Sequence, residues 1–386
     1  MTLLESTTNS ESVVSRPLPT GFRKTSRNAA DGKTNTSQYT ELLARVKGEG
    51  LLTKKPWFYI NRLIVISAIS LSLWTALFFI AQSSNTLVLA LAVPVMILQG
   101  IMAAQYAFIA HETSHRQVFK TNKLNENVGR ILANLLAGLS YGFWMNKHNR
   151  HHAKPNQIDA DPDIAIRVLS FTTDSLESKK GIEKAVSKNQ GWLFPFLLMF
   201  TAFDLLLDSF SSVFAKEKKV EHRFAEFAMM IVRQSVPLIA ALLLFNPFYA
   251  IAIWLAFQFA FGMFMGGAFA PNHKGMPMVE KNAKIDFFQR QVLTSRNIRS
   301  SWLTDNLMGG LNFQVEHHLF PSMPRPNLRR AHEIVVAYCL EKEVPFKETG
   351  LFESYGIVIR YLNKVGLSNN IDPFVCPMVA ELRPRN

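Results

Sequence analysis

Four long apolar runs decide what this chain can fold into. Residues 56–81, 86–110, 224–245 and 247–270 are each long enough, as helices, to cross about 30 Å of hydrocarbon. Inside a bilayer every backbone N–H and C=O must be satisfied within its own segment or a closed barrel. Runs of this length, without strand-like alternation, therefore predict helices. Short polar turns at Gln82–Asn85 and Asn246-Pro247 join the runs into two hairpins. The third run carries Glu226 and Arg233, which are expected to face protein rather than lipid. Gly262 and Gly266, four apart in the last run, favour close helix packing. The expected fold is an all-α integral membrane protein of four transmembrane helices, with a helical cap on one side.

A fifth apolar run, 192–214, contains Pro195, Asp204 and Asp208. Carboxylates are costly at membrane depth, so this run is expected as an amphipathic helix lying in the interface. The two outer turns carry no Lys or Arg. The opposite flanks carry Lys54, Lys55, Arg62, Arg116, Lys120, Lys123, Arg223 and Lys274, which places that side in the cytoplasm. Residues 1–45, rich in Ser, Thr and Asn, are expected as a flexible tail with no apolar core for a cleavable signal. Residues 346–386 are expected as a cytoplasmic extension. Cys339 and Cys376 make neither a disulfide framework nor a thiolate site. The net charge of +13 suits anionic headgroups or an acidic redox partner. No nucleic-acid motif accompanies it.

Seven of the ten histidines fall in three clusters: His111 with His115, His148 with His151 and His152, and His317 with His318 preceded by Gln314. Residues three and four apart share one helix face, so each cluster presents its imidazoles together. One ion takes about four ligands. Seven imidazoles therefore predict two metal ions. His111-Glu112-x-x-His115 also fits the zinc-protease pattern with Glu112 as base, but that chemistry leaves at least four clustered histidines without a role. A non-enzymatic metal carrier fits poorly, because the histidines lie outside the apolar runs. Asp161, in a turn around Pro162, is a candidate acceptor for the free ring N–H of a ligating histidine. His222 and His332 lie outside the clusters and are expected at the surface.

The clusters read HxxxH, HxxHH and QxxHH. With FWMNKHNRHH at 143–152, DADPD at 159–163 and GGLNFQVEHHLFP at 309–321, the chain resembles the membrane fatty acid desaturases over about residues 55–345. The leading Gln314 resembles the front-end subgroup, which inserts a double bond between an existing one and the carboxyl end. That resemblance implies two ferrous ions, O2 as co-substrate and a fatty acyl-CoA or acyl-lipid substrate. Imidazole alone does not select iron over zinc or copper. The resemblance also implies a further ligand at His273, giving His111, His115, His148, His151, His152, His273, His317 and His318, with Gln314 as an accessory that binds weakly through its carbonyl oxygen or orients a water. Asp161, Asn272 and Asn312 are expected around them.

Many front-end enzymes carry a fused cytochrome b5 domain with a His-Pro-Gly-Gly signature. This sequence has none, which implies a separate electron donor, ferredoxin or cytochrome b5 with its reductase, and a likeness to bacterial members in a cell membrane. A di-iron hydroxylase or ketolase is the alternative from the same chemistry.

Overall fold

The computed structural model describes residues 37–166, 168–215 and 220–367. Its long helices are Pro56–Ala81, Ala92–Ser114, Arg223–Leu244 and Pro247–His273, with the short helix Thr86–Ala90 leading into the second. All four candidate crossings expected from hydropathy are present, the second running from Thr86 to Ser114. Asn85 and Asn246 begin their helices by accepting from the N–H groups of Leu87 and Tyr249. Pro247 follows as the first helical residue, where its missing N–H costs nothing. Large apolar side chains, such as Leu71, Phe79, Leu243 and Phe248, project from the outer faces of these helices; Phe248 is 88% exposed. A patch of that kind suits lipid, not water. The protein is an all-α membrane protein.

The second and fourth long helices form the centre. Ala103, Ala104 and Ala107 pack with Phe257, Phe261 and Met265 in one core cluster. Any Cβ on Gly100 would strike the carbonyl oxygen of Phe257, so these two axes meet at backbone contact. Gly262 does the same against the carbonyl of Met199. That contact explains the small residue in the last run.

Both charged residues of the third run face inward. Glu226 is fully buried, accepting from the Ser140 hydroxyl at 2.6 Å and pairing with Arg130 at 3.3 Å. Arg233 lies over Phe257 and donates from Nε to the Leu136 carbonyl at 3.0 Å.

Three features depart from the sequence expectations or add to them. The run 192–214 is two helices, Gln190–Met199 and Thr201–Phe214, bent by 68°. Part of the expected tail, Gln38–Gly48, is a helix that buries Leu42 and Val46 beside Val335 and Tyr338. An i, i+4 apolar pair within eleven residues is too weak a signal to mark such a helix without its partner. Part of the expected extension, Leu351–Leu367, is a helix packing Val358, Tyr361 and Leu362 with Phe194 and Leu198. Residues 1–36 and Cys376 lie outside the described residues. Cys339 is buried and free.

Candidate metal centre

Each histidine cluster is delivered by a helix. His111 is in the last turn of the second long helix and His115 caps it. The helix Tyr141–Ala153 carries His148, His151 and His152. It starts where Ser140 accepts from the Phe143 N–H, and Glu226 accepts from the N–H of Gly142 beside that cap. A carboxylate there opposes the positive end of the helix dipole. The chain reaches this point through a π-helical turn, Leu132–Ala137, that ends at Gly138 with φ +85°. Gln314, His317 and His318 share the short helix Gln314–Leu319, and His273 ends the fourth long helix. Ahead of the third cluster, Gly309 and Gly310 turn with φ of +63° and +81°, and a Cβ on Gly310 would hit Arg325.

These segments converge. Nε2 of His148 lies 2.8 Å from that of His111, 2.8 Å from that of His115 and 2.9 Å from that of His152. A ring nitrogen carries one proton or one lone pair, so three such approaches cannot all be hydrogen bonds. Nitrogens bound about 2.1 Å from one cation stand roughly 3.0–3.4 Å apart. A shared cation is the arrangement that fits. His317 completes this set, and its Nε2 is buried without a hydrogen-bond partner among the described residues. In a second set, His273 Nε2 lies 3.3 Å from His151 and 3.2 Å from His318. The residues present therefore fit two metal positions, one facing five imidazoles and one facing three.

The far ring nitrogens are held from behind. His151 Nδ1 lies 3.0 Å from each Asp161 oxygen, and Asp161 also accepts the N–H groups of Asn156 and Asp163 at 2.8 Å. His273 Nδ1 donates to the Thr294 carbonyl at 3.0 Å, and His318 Nδ1 to Gln291 Oε1 at 2.9 Å. Each bond fixes the tautomer and turns Nε2 inward. Trp144 stacks on His148 at 4.9 Å and 20°.

Burial, then the neighbouring imidazoles, holds His148, His152, His317 and His318 well below the ordinary histidine range, and burial puts His115 at about 3. These rings are neutral at physiological pH, as ligands must be. His151 differs: burial opposes its protonation, but Asp161 and Asp163 outweigh burial and raise its pKa. Asp161→Asn is expected to weaken metal binding about 10–100-fold while leaving the protein folded, measured by competition with a chelator.

Several expected roles change. Asn312 donates to Asp305 at 2.7 Å and has no bond to the imidazoles among the described residues. Asn272 does lie beside the site, holding Gln314. The carbonyl oxygen of Gln314, expected as an accessory donor, faces Asn272 at 3.0 Å instead. Glu112 turns away from the imidazoles into an ion pair with Arg325, 2.6 Å from its Nε, so it is not placed as a protease base. His222 is exposed, as expected. His332 is not an ordinary surface residue: its Nδ1 lies 3.0 Å from Glu316, which also accepts from Asn297 at 2.6 Å. Thr294, Gln291 and Arg325 carried no local signal, because each acts through a partner distant in sequence.

An apolar cavity borders the five-imidazole set, lined by Ala107, Ala110, Ala137, Met265 and Phe269, with His111 and Trp144 at one end. Clustered imidazoles that could hold metal ions thus lie at one end of a membrane helix bundle, beside an apolar cavity. The family follows from comparison: residues 84–350 match the fatty acid desaturase family, and the chain belongs to it. It is 31% identical to a delta(6)-fatty-acid desaturase of Caenorhabditis elegans over 68% of this chain and 62% of that protein. It is 28% identical to an acyl-lipid (9-3)-desaturase of Physcomitrium patens over 85% of this chain and 62% of that one. A delta(5) fatty acid desaturase of C. elegans is 27% identical over 85% of this chain and 73% of its own length. The chain thus spans about three fifths of the first two relatives.

Proposed function

We propose that this chain is a front-end fatty acyl desaturase. It would use O2 and two external electrons to place a cis double bond in a long acyl chain carried by CoA or a lipid. The observation that carries the reading is the convergence of eight imidazoles from four separate segments into two sets beside an apolar cavity. The names of the relatives support the front-end assignment. The metal ligands proposed are His111, His115, His148, His152 and His317 for one ion, and His151, His273 and His318 for the other.

When bound, an iron pair supplies the oxidising power that side chains lack. The rest is positioning. An acyl chain offers no polar handle, so the cavity walls must set which methylene faces His111. Small Ala107, Ala110 and Ala137 line the cavity together with His111, Trp144 and Phe269, so substitutions there are expected to change which chain positions are accepted. Asp161, Thr294 and Gln291 keep the ring nitrogens oriented through turnover.

The basic flanks support a cytoplasmic placement of the imidazoles. Since the imidazoles gather at one end, an even number of crossings must separate His152 from His273. The helices Arg223–Leu244 and Pro247–His273 supply that pair, which leaves the bent helices at 190–214 lying along the interface. A reporter fused after residue 215 is expected on the cytoplasmic side; a signal from the other side contradicts this. The donor proposed is ferredoxin or cytochrome b5 with its reductase. The expectation of a bacterial membrane draws no support from the relatives named above, which come from a nematode and a moss.

The test is fatty-acid profiling of a host expressing the chain, with and without added linoleate. A product two hydrogens lighter, with the new bond on the carboxyl side of an existing one, is expected. A product one oxygen heavier would identify a hydroxylase.

A further inference from the structure

The two metal positions are unequal, and the difference centres on Gln314. Its side-chain amide is fully buried beside the three-imidazole set, with one end 2.9 Å from His273 Nε2 and the other 3.0 Å from Asn272 Nδ2. Which end carries the oxygen follows from Asn272. The Asn272 Nδ2 lies 2.9 Å from the Ala268 carbonyl and 3.0 Å from the Leu311 carbonyl. Two backbone carbonyls accept only from an N–H, so that atom is the amide nitrogen and Asn272 cannot be turned over. The two hydrogens of that nitrogen are then shared among three oxygens, the third being that of Gln314, because the reverse would set two NH2 groups against each other at 3.0 Å in a buried site. The Gln314 NH2 group therefore faces the imidazoles. An amide nitrogen has no lone pair to give a metal. Once His273 Nε2 binds an ion, it has none to accept a hydrogen bond either.

We infer that Gln314 is a hydrogen-bond donor, not a metal ligand, held by Asn272, and that its N–H serves a small acceptor molecule bound at the three-imidazole position. This rests on the di-iron reading above and refines it. His151, His273 and His318 are fewer donors than the five of the other set, so an ion held there would have coordination positions that these imidazoles do not fill. The N–H beside it selects an electron-rich acceptor: water, hydroxide, an anion, or dioxygen as it gains electron density. Asn272 is the positioning residue, fixing the amide through the carbonyls of Ala268 and Leu311.

The experiment is a titration of purified, iron-loaded protein with azide as the probe anion, followed by absorption, with iron counted in every variant. Gln314→Leu should keep the wild-type iron content and bind azide about tenfold or more weakly, as expected for a lost charge-assisted hydrogen bond. Gln314→Glu, similar in size, should keep its iron and bind azide more weakly still, because a carboxylate repels the anion. Asn272→Ala should weaken azide binding without iron loss. Iron lost in Gln314→Leu but retained in Gln314→Glu would make Gln314 an oxygen ligand and overturn the inference. Unchanged azide affinity in Gln314→Leu would overturn it too. Wild-type protein that takes up no iron would instead refute the di-iron reading on which it rests.

Discussion

His148→Ala is expected to abolish desaturation and empty at least one of the two metal positions, while the protein stays in the membrane. His148 is the hub of the larger set, since His111, His115 and His152 each approach its Nε2 within 2.9 Å. Removing its ring takes away the nitrogen that the other three approach and opens a hole beside Trp144, which loses its stacking partner. The long helices do not depend on that ring, so insertion should survive. Activity in microsomes or membranes, together with iron per chain after purification, checks this. Full activity in His148→Ala would refute the ligand assignment.

Arg325→Met is expected to be nearly as damaging by another route. Arg325 and Glu112 form a fully buried ion pair whose Nε–Oε1 bond is 2.6 Å. Glu112 stands on the second long helix one residue after His111, and Arg325 follows the third cluster by seven residues. The pair therefore clamps the first cluster to the segment behind the third. Replacing Arg325 leaves Glu112 buried without its counter-charge, which costs about 3–5 kcal/mol. A much lower melting temperature is expected, with loss of iron as the clusters separate. The double variant Arg325→Met with Glu112→Leu should recover stability, because an apolar pair replaces the ion pair with no charge left over. If Arg325→Met melts like wild type, the clamp is not structural.

Much of this fold was legible in the chain because each signal was local and long. A run of twenty or more apolar residues has few other destinations, and the polar turns at Gln82–Asn85 and Asn246-Pro247 separate the runs by themselves. The clusters were legible because helical spacing brings their rings together before any tertiary contact forms. What escaped was set by partners distant in sequence. Glu112 resembled a catalytic base until Arg325 was seen beside it, 213 positions away. His332 resembled a surface residue because nothing nearby announces Glu316. Gln314 offered an oxygen and a nitrogen on equal terms until Asn272 and two backbone carbonyls fixed which faces in. The 68° bend at Phe200 and the π-helical turn at 132–137 were equally invisible in the sequence.

The most direct test of the account is metal analysis of the purified protein, prepared anaerobically without chelators and loaded with ferrous iron. Two irons per chain, with imidazole nitrogen in the coordination shell by X-ray absorption, are predicted. Protein that binds no iron, or a single zinc retained in preference to iron, would contradict it.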